Sequence, residues 1–249
     1  MPPDYRKPVD AREIIARLVD GSEFLDFKYE YDQQTICGRA TLHGHTVGII
    51  SNNGPITVRG ATKAGQFIQQ CCQSNTPIIY LMNTTGYMVG SESEQGGIVK
   101  HGSKMIQAVA NATVPQITIV MGGSFGAGNY GMCGRGFGPH FIFAWPNSRT
   151  SVMGGEQAAK VMAIITRAKW EAEGKVLEEK DEKMLGVVES NIVKQFDKES
   201  HAFAATARLF DDGLIDPRDT RKVLGRGLPW CGEAQARKVY PISFGVARL

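Results

Sequence analysis

The chain has 249 residues, with 28 Lys and Arg against 25 Asp and Glu, 42% hydrophobic residues, 29 Gly and 11 Pro. Glycine near 12% (29 of 249) exceeds the roughly 7% of average usage, yet Pro is ordinary and no Gly-X-Y period runs through the chain, which excludes collagen-like and low-complexity classes. A net charge of +3 with no clustered Lys/Arg face argues against nucleic acid as a partner. Five cysteines, two of them adjacent (Cys71, Cys72) and none in a C-x-x-C pair, argue against a disulfide framework or a zinc site, and fit a reducing compartment. No apolar run approaches the roughly 20 residues of a membrane span, and the N-terminus lacks a signal-peptide core, so a soluble protein is expected.

In chain order, apolar runs alternate with helical patterns, the rhythm of an α/β fold in one compact unit. Thr35 to Thr41 and His45 to Ser51 read as a hairpin around His43-Gly44, Val58 to Gln73 as a helix, and Pro77 to Met82 as a buried strand. A second helix is expected from about Glu94 to Asn111, with Ile98, Met105, Ile106 and Val109 on one face. Strands follow at Gln116 to Met121 and His140 to Trp145. Ala158, Val161, Met162 and Ile165 then recur at helical spacing. The acid- and lysine-rich run from Glu171 to Glu189 reads as a solvated helical face or hairpin, and the C-terminal third as mostly helical, with Asp216-Pro217 opening a helix.

Charge and glycine are both unevenly placed. From Gln95 to Gly155 there is no Asp or Glu, and inside that stretch eight glycines fall between Gly122 and Gly138 (MGGSFGAGNYGMCGRGFG). Three kinds of chemistry compete for this segment. Gly126 to Gly131 spells G-x-G-x-x-G after a strand, the dinucleotide fingerprint, but the acid expected about 20 residues on is missing. Gly122 to Gly126 spells G-x-S-x-G, which would make Ser124 a hydrolase nucleophile, with Asp197 and His201 as permitted partners. The third reading is an oxyanion hole, in which adjacent backbone N–H groups at a strand-to-helix turn stabilise a developing negative charge; an acid-free neighbourhood suits it. Close glycine packing of helix on strand explains the same residues without chemistry, and the residues alone leave that choice open. Met82 to Gly97 repeats the strand, glycine turn, helix arrangement, and two such turns side by side would aim two helix N-termini at one pocket. His43 and His45 lack a third ligand for a metal, His101, Cys71 and Cys72 read as packing residues, and Arg135 and Arg149 as structural ion pairs or anion contacts.

Three long motifs, NTTGYMVGSESEQGGIVKHGSKMIQAVANATVPQITIVMGGSFGAGNYGMCGRGF, FAWPNSRTSVMGGEQAA and ARLFDDGLIDPRDTR, resemble the carboxyltransferase (β) subunits of biotin-dependent acyl-CoA carboxylases. Within that family the likeness is to the 3-methylcrotonyl-CoA and geranyl-CoA carboxylase branch, and it runs from Asp10 to Leu249. The resemblance implies a crotonase-like fold of stacked ββα units with C-terminal helices, and a chain matching the C-terminal, biotin-side domain of the two in a β subunit, without the N-terminal one. It implies transfer of a carboxyl group from carboxybiotin to a branched enoyl-CoA, with the isolated fragment inactive or serving as an assembly half. The implied partners are the acyl-CoA substrate, the biotin carboxylase and biotin carrier (α) subunit that bears the biotin, and further β subunits in a homo-oligomer. The implied place is the bacterial cytoplasm or the mitochondrial matrix. Carried over by position, the oxyanion donors are the amides of Ala127 and Gly128, facing the ureido oxygen of biotin. The implied pocket walls are Phe125, Gly126, Asn129 and Tyr130 on one turn and Thr85, Gly86 and Tyr87 on the other.

Overall fold

The computed structural model describes residues 7, 9–174 and 179–237. A seven-stranded mixed sheet organises the chain. β1 (Leu25–Asp26), β2 (Thr35–Leu42) and β3 (His45–Asn52) pair antiparallel, whereas β3, β4 (Ile78–Thr84), β5 (Gln116–Phe125) and β6 (Phe141–Ala144) are parallel neighbours. β6 follows β5 along Ile117 to Val120, and β7 (Arg149–Ser151) then pairs with Gly123 to Phe125. The helices are α1 (Ala11–Leu18), α2 (Val58–Gln73), α3 (Ser91–Gln95), α4 (Ile98–Ala110), α5 (Gly128–Gly131), α6 (Gly155–Ala172), α7 (Glu179–Ser200), α8 (Ala202–Ala207) and α9 (Thr220–Ala236).

Period-two alternation in the central strands sorts side chains into two cores. Ile79, Leu81, Ile117, Ile119 and Met121 face one side with α1 and α9, while Ile78, Tyr80, Met82 and Val120 face the other with α2 and α4. Because both faces are covered, these strands read as continuous apolar runs. The β2–β3 hairpin closes on His43 and Gly44, both at positive φ (50° and 79°), the backbone that a two-residue hairpin turn requires. The Asp20 carboxylate accepts from both of their N–H groups (3.0 and 2.8 Å) and is gripped in turn by Arg221 of α9 at 2.5 Å. The Gly44 N–H and the Arg221 guanidinium hold the Asp20 carboxyl down at about 2. His43 is therefore a turn residue whose ring lies against Gly225.

Two sequence expectations change. The helix expected from Glu94 to Asn111 is broken into α3 and α4 at Gly96-Gly97, where Gly97 takes φ 90°, and Gly102 joins Ile98, Met105 and Val109 on the buried face while Ile106 is only half-buried. On α6 the apolar set points the other way. Ala158 is buried, but Val161, Met162 and Ile165 are exposed, and the buried seam is made of Ala158, Ala159 and Ala163. Close packing against α7 selects small residues: a Cβ on Gly155 would lie 3.1 Å from Cβ of Phe196. The charged run forms the ends of this α6–α7 hairpin, tied by Arg167 to Glu182 at 2.7 Å; its residues 175–178, and 238–249 of the stretch that carries the resemblance, lie outside the described residues. Asp216 caps the turn Pro217–Asp219 that leads into α9. All five cysteines are free, and among the described residues no helix is long and apolar enough to cross a membrane.

Candidate functional site

β5 does not stop at Met121. All ten of its residues are buried, and the glycine-rich segment continues the strand through Gly122, Gly123, Ser124 and Phe125. Pairing with β4 slips there, from Met82 opposite Val120 to Thr84 opposite Ser124, so β5 carries two more residues than its partner. Asn83 Oδ1 fills the break by accepting the Gly123 N–H at 2.9 Å. The turn comes at Gly126 (φ 56°), whose N–H donates to Ser151 O of β7 at 3.2 Å, and α5 starts two residues later.

Within this turn Gly126 O accepts from Asn129 N, and Ala127 O accepts from Tyr130 N and Gly131 N. The N–H groups of Ala127, the N-cap of α5, and of Gly128, its first residue, have no acceptor among the described residues. The second glycine turn lies directly against the first. Thr84 Oγ1 accepts the Gly86 N–H at 3.2 Å, and Gly86 (φ 119°) sits so near Gly128 that a Cβ there would be 2.8 Å from Gly86 Cα and 3.0 Å from Thr84 Cγ2. Gly128 cannot carry a side chain without moving the other turn, and the positive φ of Gly86 keeps that position to glycine. Asn129 locks the arrangement. Its Nδ2 donates to Ser124 Oγ at 2.7 Å, and its amide rests on Gly134.

The expected walls separate into two groups. Gly126, Ala127, Asn129 and Tyr130 line a cavity of about 600 Å³ bounded also by Ser151, Ala205 and Asp211. Phe125 instead folds back over Gly123 and is buried, Thr85 is exposed, and Gly86 serves as the floor beneath Gly128. Tyr87 props α4 against α5. Its hydroxyl reaches Gly102 O (3.4 Å) and abuts Gly131, and burial pushes its phenol well above the ordinary range.

The competing motifs lose their contexts. Ser124 is fully buried inside a strand with Asn129 as its partner, and among the described residues no imidazole or carboxylate bonds to it. His201 Nδ1 instead caps α8 by accepting the Phe203 N–H, and Asp197 offers its carbonyl to Arg149. The helix that G-x-G-x-x-G opens has four residues and ends with the motif at Gly131, too short for the βαβ unit the dinucleotide fingerprint needs. His101 bonds Thr62 Oγ1 through Nδ1 at 2.9 Å, and Arg135 pairs with Asp212 at 2.8 Å. Among the described residues no group of three His, Cys, Asp or Glu side chains could hold a metal.

Asp212 also shows what the acid-free stretch concealed. Asp211 and Asp212 fold back from beyond α8 onto it, Asp212 accepting the Ile142 N–H at 2.8 Å and Asp211 lining the cavity. Asn83, Thr84 and Asp211 escaped the motif reading, and only their place in the long NTTGYMV and ARLFDDG segments marked them.

Residues 1–243 match the carboxyl transferase domain model. The chain belongs to that family. It is 50% identical over 226 residues to the probable methylcrotonoyl-CoA carboxylase β chain, mitochondrial, of Drosophila melanogaster, covering 91% of this chain and 39% of that one. It is 45% identical over all 249 residues to the biotin-dependent 3-methylcrotonyl-coenzyme A carboxylase β1 subunit of Mycobacterium tuberculosis, spanning 46% of its length. The crystal structure of the geranyl-CoA carboxylase β subunit of P. aeruginosa superposes with a TM-score of 0.90 at 59% identity, covering 100% of this chain and 46% of that one. The fold is thus the crotonase-like carboxyltransferase fold, and the chain spans about half the length, or less, of the curated relatives it matches.

Proposed function

We propose that this chain is the C-terminal, biotin-facing domain of an acyl-CoA carboxyltransferase, acting on a branched enoyl-CoA of the 3-methylcrotonyl or geranyl type. The observation that carries the reading is the contact of Gly128 on Gly86 beside two unclaimed amides. The residues fit a ureido ring: two N–H donors at the N-cap and first residue of α5, a Gly86 floor so close that a Cβ on Gly128 would strike it, and a cavity of about 600 Å³ alongside. Biotin, borne on an α subunit, supplies the carboxyl group. The Ala127 and Gly128 amides would donate to its ureido oxygen and stabilise negative charge there. Donors fixed before reaction contribute roughly 3 kcal/mol each at such sites. Asn83, Asn129 and Ser151 hold the turn so that those donors need not reorganise. Gly126, Asn129 and Tyr130 wall the ring on the α5 side. Acyl-CoA is held largely by the N-terminal domain, and further β subunits complete the assembly.

Mixing this chain with a separately produced N-terminal domain and a carboxylated biotin donor tests the reading. Carboxyl transfer that needs both pieces is expected. A verified complex without turnover would leave this chain an assembly piece and sink the proposed chemistry.

A further inference from the structure

The cavity beside α5 contains a carboxylate that the oxyanion reading does not use. Asp211 is 7% exposed and lines the same cavity as Ala127 and Asn129. The hydroxyl of Thr206 donates to its Oδ1 at 2.6 Å, and among the described residues no other donor reaches the carboxylate. The one cation on the lining, Arg135, is engaged by Asp212. A carboxylate accepts hydrogen bonds, and the second oxygen of Asp211, open to the cavity, can take an N–H or O–H from whatever fills it.

A cyclic urea has two sides. Its oxygen needs donors and its free N–H needs an acceptor. We propose that Asp211 is the acceptor for the N–H of the ureido nitrogen that does not carry the carboxyl group, and so fixes the ring's orientation and selects a urea over an N-substituted ring. This inference rests on the biotin-facing reading of the site and adds a specificity-determining side chain to it. A charge-assisted N–H to carboxylate bond is directional, and a ring without that N–H would leave Asp211 with the Thr206 hydroxyl alone and its second oxygen without a donor.

The test is titration of the isotope-labelled chain with biotin methyl ester, and with its derivative methylated on that nitrogen, followed by the Ala127 and Gly128 amide resonances. Wild type is expected to bind the ester about ten- to hundredfold more tightly than Asp211→Asn does, and the methylated probe should bind both proteins alike. Asparagine keeps an oxygen for the Thr206 hydroxyl, so the variant should unfold within a few degrees of wild type. The methylated probe on wild type gives the same answer without any variant. If the ester moves the two amides but binds Asp211→Asn equally well, or if methylation costs wild type nothing, Asp211 is not the acceptor while the ureido site stands. If methylguanidinium competes with the same Asp211 dependence while the ester is indifferent to methylation, the carboxylate is a general cation site and the proposal is overturned. If the ester moves neither amide at its solubility limit, the site reading itself falls, and this inference with it.

Discussion

Replacing Gly134 with alanine should break the lock on the α5 turn through a single atom. The new Cβ would lie 1.9 Å from Oδ1 and 2.4 Å from Cγ of Asn129, so the amide must swing away and lose its 2.7 Å bond to Ser124. Ser124 is fully buried, and stripping a buried hydroxyl of its partner costs about 1–3 kcal/mol. For a chain of this size that is a fall in Tm of roughly 2–4 °C per kcal/mol. The backbone itself does not resist: Gly134 sits at φ −69°, ψ 179°, extended geometry open to any residue. At such a site Gly→Ala alone stabilises by about 0.4–1 kcal/mol, through the unfolded chain. The two effects part company in a double-mutant cycle. Gly134→Ala should destabilise wild type, yet be neutral or stabilising once Asn129→Ala has removed the obstructing amide, with a coupling of about 1–3 kcal/mol. Urea unfolding of the four proteins measures it. Equal effects of Gly134→Ala in both backgrounds would show that the Asn129 amide does not occupy that space and that the lock is wrongly assigned.

Gly128→Ala, which must displace Gly86 and Thr84, is expected to lower carboxyl transfer by about 10²–10³-fold in the assembled enzyme, the scale of losing one preorganised donor; a folded variant with near-normal kcat would refute the role of the paired turns. Ser124→Ala should keep transfer within about tenfold of wild type while losing stability through the unpaired Asn129 amide. A loss of several orders of magnitude would revive the nucleophile. Asp20, held at about 2 against an ordinary 3.8, contributes stability that is fully present above pH 4 and is lost as pH falls towards 2. The urea midpoint should therefore drop over that interval, and Asp20→Asn should flatten the drop; an unchanged slope would dissociate the hairpin turn from Arg221.

Local patterning placed most of the scaffold. α2 and the β2–β3 hairpin follow their apolar periods closely, because each buries a face whose spacing the chain spells out. It failed on α6, where the apolar stripe is the exposed one: the seam with α7 is set by how closely two helices approach, which alanines permit and periodicity does not register. The glycine-rich run likewise drew attention as a candidate backbone site without showing where strand ends and turn begins. The extra β5 residues opposite Asn83 move the turn past Ser124, burying the hydroxyl that a motif match offered as a nucleophile.

By itself, then, the sequence determined the α/β class and the carboxyl transferase family and singled out the segment of the proposed site, since long motifs and apolar periods are properties of neighbours along the chain. Tertiary structure alone decided that Gly128 rests on Gly86, 42 residues away, and that Asp211 returns to line a cavity formed by a stretch without carboxylates. Both depend on the register of parallel strands and the return of the chain after α8, and no local pattern encodes distances between segments so far apart in sequence.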